Sequence, residues 1–316
     1  MELHDLVLQG DRRAIARLIT LVENGDPGVQ SSLDALFPHS GQAHLIGVTG
    51  SSGSGKSSLV NQLVYYLRRE EPSRRIAVLA VDPTSPFSGG ALLGDRIRMR
   101  ELAEDEGVYI RSMASRGALG GIARAASSAV QILDAAGYEM IFIETVGAGQ
   151  SEVEIASLAH TVIVVDAPGM GDDIQAIKAG ILEIADIIVL NKADKPGIEA
   201  AERALRAMLM LVEPNQEWIP ELILTVAVEQ KGIAGVARAI ADHKRYLTRS
   251  GKWDQKVAER LKKELDNQIQ TILWQEWKNR LEPGYFQGVF DRLVKRQLSP
   301  NQAARSLISQ FMKWNE

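Results

Sequence analysis

The chain has 316 residues, a net charge of -4, 24% charged and 45% hydrophobic residues. That make-up suits a globular protein with a sizeable core and lacks the basic footprint of a general nucleic-acid binder. There is no cysteine, which excludes disulfides and thiolate metal ligands. The first residues show no basic stretch followed by an apolar one, and no apolar run approaches the ~20 residues of a membrane span. A cytoplasmic protein with neither a nucleic-acid nor a membrane partner is therefore expected.

Residues 11–24 predict a helix. Ile15, Leu18, Ile19 and Val22 fall at i, i+3, i+4 and i+7, Asp11 can cap the start, and Gly25 can end it. From residue 45 the texture changes to short apolar runs separated by helix-length segments. Strands are predicted at 45–49, 76–81, 108–113, 140–144, 161–166, 187–190 and 222–226. Most are apolar throughout rather than alternating, as parallel strands covered on both faces are. The alternation of strand and helix predicts an α/β fold: a doubly wound, mostly parallel sheet with helical extensions at both ends. The division expected is 1–42 for an N-terminal helical extension, 43–244 for the sheet domain and 245–316 for a C-terminal helical region. In the last region one long helix is predicted over 253–280, with Val257, Leu261, Leu265, Ile269, Leu273, Trp277 and Leu281 spaced by four. Such spacing advances ~400° per step, so the apolar stripe winds around the cylinder. Four of the five tryptophans (Trp253, Trp274, Trp277, Trp314) lie in this tail, which suits either an interface or a helical core.

The first strand runs into Gly50-Ser51-Ser52-Gly53-Ser54-Gly55-Lys56-Ser57, which fits G-x-x-x-x-G-K-[ST], and Ser58 continues into a helical pattern. Glycines let backbone N–H groups turn toward phosphates, and the helix N-terminus adds a field favourable to anions. Lys56 would reach the β- and γ-phosphates, and the Ser57 hydroxyl would ligate Mg²⁺.

Three carboxylates stand where a magnesium–nucleotide site wants them. Asp82 follows the strand 76–81, Asp95 follows the next loop, and Glu144 ends the strand 140–144. Magnesium keeps several waters, so some of these would act through water. Glu144-Thr145-Val146-Gly147 has the position of a D-x-x-G switch with Glu for Asp, and Gly147 could sense the γ-phosphate through its N–H.

Asn191-Lys192-Ala193-Asp194 follows the strand 187–190. Asp194 can accept from both the ring N–H and the exocyclic amine of guanine, whereas adenine leaves the carboxylate unpaired. The loop Thr225-Val226-Ala227-Val228 closes the next strand, where a backbone N–H would meet the guanine carbonyl. The expected ligands are thus GTP or GDP and Mg²⁺. The expected reaction is GTP hydrolysis, with Lys56, Mg²⁺ and loop N–H groups stabilising the transferring phosphoryl group. Arg96, Arg116 and Gln150 are the candidates for orienting the attacking water.

Beyond these motifs the chain resembles the MeaB/ArgK family of GTPases, chaperones of adenosylcobalamin-dependent acyl-CoA mutases. The resemblance is carried by Gly10-Asp11-Arg12-Arg13-Ala14, by Val81-Asp82-Pro83-Thr84-Ser85-Pro86-Phe87, and by Leu93-Gly94-Asp95-Arg96-Ile97-Arg98-Met99. Arg116-Gly117-Ala118-Leu119-Gly120-Gly121, Glu144-Thr145-Val146-Gly147-Ala148-Gly149-Gln150-Ser151-Glu152 and Gly171-Asp172-Asp173-Ile174-Gln175-Ala176-Ile177-Lys178 extend it. The resemblance implies that Ser57, Asp82, Asp95 and Glu144 form the metal shell, directly or through water. It also implies a partner switch over 171–180, with Asp172, Asp173, Gln175 and Lys178, and a tail that serves as a homodimerisation arm. Ser52 in place of a common proline and Val226 in place of a hydroxyl residue depart from the family pattern without threatening nucleotide binding.

Two other readings compete. A kinase would use the same P-loop to phosphorylate a transport protein or small molecule, a label relatives of this family once carried; no separate acceptor domain is visible for it. A GTPase delivering nickel would be expected to carry a Cys or His cluster, whereas the five histidines here are scattered (His4, His39, His44, His160, His243).

Overall fold

The computed structural model describes residues 2–83, 102, 104–115, 121–145, 157–169, 184–210, 217–281 and 284–312. Seven strands form one sheet: β1 (His44–Thr49), β2 (Ile76–Pro83), β3 (Val108–Ser115), β4 (Met140–Thr145), β5 (Thr161–Asp166), β6 (Ile187–Leu190) and β7 (Glu221–Leu224). Their order is β3-β2-β4-β1-β5-β6-β7, and every pairing is parallel. The predicted all-but-continuous apolar runs explain this: β1, β4, β5 and β6 are buried at every position. Only the edge strand β7 starts on an exposed residue, Glu221.

Alternation along the strands sends side chains to two helical layers. Ile46, Val48, Val78, Phe142, Ile163, Val165 and Val189 share one core with α4 (Lys56–Glu70) and α7 (Ile233–Ser250). Leu45, Ala77, Leu79, Ile141 and Ile143 face the other layer, which contains α5 (Gly121–Ala135). The N-terminal helices α1 (Leu3–Leu8), α2 (Arg12–Glu23) and α3 (Gln30–Leu36) join that second layer through Val7, Ile15, Leu18, Ile19, Leu33 and Leu36. Asp11 caps α2 as expected, accepting from Ala14 N–H at 2.7 Å. Further along the same face, Val162, Val164, Ile188 and Leu190 are covered by Ala201 and Leu205 of α6 (Ile198–Leu209).

The chain reverses its direction of winding at β1, which has β4 on one side and β5 on the other. In a doubly wound sheet the crevice beyond the carboxyl ends of the strands at such a point is where ligands bind. The turn after Thr49 and the strand ends at Thr145 and Asp166 therefore border the site.

Two compact units are distinguished, 1–257 and 258–316. Within the tail, α8 (Lys252–Arg280) carries no buried residue, and α9 (Tyr285–Val294) and α10 (Pro300–Met312) follow it. In the second unit Trp277 Nε1 donates to the carbonyl of Leu307 at 3.2 Å, and its ring lies 4.7 Å from that of Trp274. Leu265, Ile269, Ile272, Leu273 and Trp274 stay exposed along α8. No helix among the described residues is long and apolar enough to cross a membrane.

Candidate functional site: a phosphate loop and a base-reading loop

The turn from β1 to α4 is a tight one that only glycine permits at two positions. Gly50 has φ +131°, and a Cβ there would lie 2.0 Å from the carbonyl oxygen of Val165. Gly55 has φ +96°, and its Cβ would meet Asn191 Nδ2 at 2.3 Å. Both conformations and both close approaches demand the residue without a side chain. The Leu59 N–H donates to the Gly55 carbonyl at 2.9 Å, so the N–H groups of Lys56, Ser57 and Ser58 come before the ladder that α4 builds for itself. These groups at the helix start, with the loop Ser51-Ser52-Gly53-Ser54 wrapped above them, form an anion cradle.

Lys56 is 6% exposed, and its Nζ donates to the carbonyls of Gly50 at 2.8 Å and Ser51 at 3.0 Å. The ammonium is thereby held inside its own loop rather than in solvent. Ser57 Oγ donates to Glu144 Oε1 at 2.5 Å, and Glu144 is 2% exposed. Register explains the meeting: Glu144 stands opposite Val48 of β1 and Ala80 of β2, one position before the end of β4. Asp82 lies two residues beyond Ala80 near the end of β2; its side chain is outside the described residues. A hydroxyl and a carboxylate in contact at the loop offer the hard oxygen donors that Mg²⁺ prefers, one or two from protein and the rest from water and phosphate. Bound there, Mg²⁺ would neutralise phosphate charge and polarise the γ-phosphate.

Asn191 joins the two recognition loops. Its Nδ2 donates to the Ser54 carbonyl at 2.9 Å, while Oδ1 accepts from Thr225 Oγ1 at 3.0 Å and Ala227 N–H at 3.1 Å. Lys192 has φ +57° and reaches back across the P-loop, its Nζ donating to the Gly53 carbonyl at 2.8 Å. Asp194 is more open and pairs with Lys195 at 3.3 Å. In the loop after β7, Val226 N–H is committed to the Lys231 carbonyl at 3.1 Å and Ala227 is buried, while Val228 is 77% exposed.

The structure thus brings together Gly50 to Ser58, Glu144, Asn191, Lys192 and the Thr225–Val228 loop. Asp95, Arg96, Arg116, Gly147, Gln150, Asp172, Asp173, Gln175 and Lys178 lie outside the described residues. Two roles were not read from the sequence. One is that of Thr225, whose hydroxyl holds the Asn191 carboxamide. The other is that of Asp166, which ends β5 against the P-loop and accepts from Ser51 Oγ at 3.2 Å. The available signal was a carboxylate closing an apolar strand, the same pattern that marked Asp82 and Glu144.

A seven-stranded parallel sheet with a G-x-x-x-x-G-K-[ST] loop at its switch point and N-K-x-D at the end of β6 defines a P-loop GTPase. Residues 15–282 match the family described as methylmalonyl-CoA mutase-associated GTPase MeaB, and the chain belongs to that family. A protein of Pyrococcus abyssi named as a GTPase is 43% identical, over 98% of this chain and 96% of its own. The GTPase ArgK of Escherichia coli is 36% identical, over 96% and 94% of the two chains. The mitochondrial methylmalonic aciduria type A homolog of Caenorhabditis elegans is 28% identical, over 96% and 81%. Among solved structures, a LAO/AO transport system kinase superposes with a TM-score of 0.72 at 29% identity, covering 98% and 96% of the chains. The expected family, fold class and GTP-hydrolysing activity stand on these matches.

Proposed function

We propose that this GTPase gates cofactor loading of an adenosylcobalamin-dependent acyl-CoA mutase and protects or reactivates that enzyme. The observation that supports it is the match of residues 15–282 to a family described by its association with methylmalonyl-CoA mutase. The name of the Caenorhabditis elegans relative points the same way. In this reading Gly50–Ser58 cradle the phosphates, the Asn191-Lys192-Ala193-Asp194 motif and the backbone around Ala227 and Val228 read guanine, and Ser57 with Glu144, Asp82 and Asp95 holds Mg²⁺. Arg96 or Gln150 orients water, and Asp172, Asp173, Gln175 and Lys178 contact the mutase. The exposed apolar side chains of α8 support a homodimer, and the same reading has the protein act in the cytoplasm.

The test is to measure GTP turnover and guanine-nucleotide affinity with each adenosylcobalamin-dependent acyl-CoA mutase of the source organism. At least one mutase should change both, and its reloading with cofactor should depend on the nucleotide. No change with any of them sinks the reading. A kinase remains the rival because the superposed structure is of a protein named as one. Phosphate transfer to an acceptor at a rate above hydrolysis would favour it.

A further inference from the structure

Asp166, the last residue of β5, is a 2% exposed carboxylate lying against the P-loop. The contact follows from the fold. Val164 pairs with Thr49, and the next residue of the loop, Gly50, presses on Val165 with no room for a Cβ. Ser51 and Asp166 therefore face each other one step further on. Asp166 Oδ1 accepts from Ser51 Oγ at 3.2 Å and from Ala167 N–H at 2.8 Å. Its main-chain carbonyl accepts from Asn191 N–H at 2.8 Å, which ties the same residue to the base-reading loop.

Ser51 in turn contributes one of the two carbonyls that hold Lys56 Nζ. It directly follows Gly50, whose φ of +131° only glycine adopts without strain. The Ser51 carbonyl accepts from Ser54 N–H at 3.2 Å as well as from Lys56 Nζ, and the Ser51 side chain needs an anchor of its own. The Asp166 carboxylate supplies one by fixing the Ser51 side chain, and a hydroxyl so held restrains the backbone that bears it. We infer that Asp166 is a positioning residue for the phosphate-binding lysine: through Ser51 it sets the carbonyl that aims the Lys56 ammonium. It touches no reacting atom itself. Its effect falls on the transition state, because a lysine displaced by a fraction of an ångström still binds nucleotide but stabilises developing phosphoryl charge less well.

The experiment measures intrinsic GTP turnover of the full chain without any partner. Asp166→Ala should lower kcat about tenfold while KM for GTP stays within about threefold. Asp166→Asn keeps the Oδ1 acceptor and should recover kcat to within about threefold of the parent. Ser51→Ala should match Asp166→Ala, and the double variant should be no slower than either single one, since both cut the same chain of contacts. The inference is overturned if the two losses multiply, if Asp166→Asn is as slow as Asp166→Ala, or if the loss lies in KM alone. Should Asp166→Ala fail to fold, Ser51→Ala, Asp166→Asn and their combination carry the same comparison.

Discussion

Asn191 and Ser54 are joined by a 2.9 Å hydrogen bond from the carboxamide to the backbone carbonyl, and this bond ties the loop after β6 to the turn between β1 and α4. Ser54 is fully buried and Asn191 is 3% exposed, so the link lies in a low-dielectric interior where a lost partner is costly. The same carboxamide holds Thr225 Oγ1 and Ala227 N–H. One side chain therefore sets the spacing between the turn after β1 and the loops after β6 and β7.

Asn191→Ala removes three hydrogen bonds and leaves the Ser54 carbonyl and Ala227 N–H without their partner. The expected cost is about 2–4 kcal/mol of folding stability, together with a loss of GDP affinity of at least tenfold. Urea denaturation and calorimetric titration measure the two. A variant with parental stability would show that the network is not what fixes these loops.

Asp194 makes a contrasting case. Its side chain is more than a third exposed and pairs only with Lys195 among the contacts described, so Asp194→Asn should change stability by no more than about 0.5 kcal/mol. Selectivity should collapse instead. The preference for GTP over ATP is expected to fall on the order of 10²-fold or more, because the paired acceptor for guanine is lost. Competition binding with both nucleotides decides it; an unchanged ratio would place base recognition elsewhere.

These two residues show how far the sequence could be read. Asn191 and Asp194 both lie in a four-residue motif after an apolar strand, and the strand itself was visible because parallel strands buried on both faces are written as unbroken runs such as Ile187-Ile188-Val189-Leu190. The glycine turn was legible for a similar reason, since a Cβ at Gly50 or Gly55 has nowhere to go. What the sequence did not disclose was pairing across the sheet. That Glu144 meets Ser57, or that Asp166 meets Ser51, depends on β1 lying between β4 and β5, and strand order is a long-range choice that local patterns do not encode. Strand ends also shifted: β2 runs on through Asp82 to Pro83, and β7 stops at Leu224, although the Thr225 N–H still donates to the Leu190 carbonyl of β6 at 3.0 Å while its hydroxyl holds Asn191.

Glu144→Gln keeps the volume and one acceptor oxygen but removes the charge that a cation at Ser57 would require. Turnover should fall about 10²-fold, and the Mg²⁺ concentration for half-maximal turnover should rise. Ser57→Ala should raise the Mg²⁺ requirement as well, with guanine selectivity intact. Magnesium titrations of GTP hydrolysis test both. A Glu144→Gln variant with parental Mg²⁺ dependence would remove Glu144 from the metal shell.

At the opposite end of the sheet, His44 opens β1, Thr161 opens β5 and His243 sits on α7. His44 Nε2 and Thr161 Oγ1 are 2.7 Å apart, Thr161 Oγ1 and His243 Nδ1 2.9 Å, and His243 Nε2 lies 3.3 Å from Asp186 Oδ1. Burial, reinforced by Lys244, His243 and Lys256, pushes the His44 imidazole down to about 3. Burial and then Lys256 push His243 down to about 3 as well. Both rings are thus neutral in the folded chain while an unfolded histidine titrates near 6.5. As pH falls below that value the unfolded chain takes up protons that the folded chain refuses, so stability is lost progressively from pH 6.5 toward about 3. By pH 5 the loss should be about 2 kcal/mol for each histidine. Burial raises the Asp186 carboxyl, which favours the folded state on acidification and opposes the trend, but it is one group against two. Urea denaturation at pH 7 and pH 5 should show the decline, and His44→Gln or His243→Asn should flatten it by about half. The exposed His39→Gln serves as the control. A parental slope in both buried-site variants would mean that other groups carry the acid sensitivity.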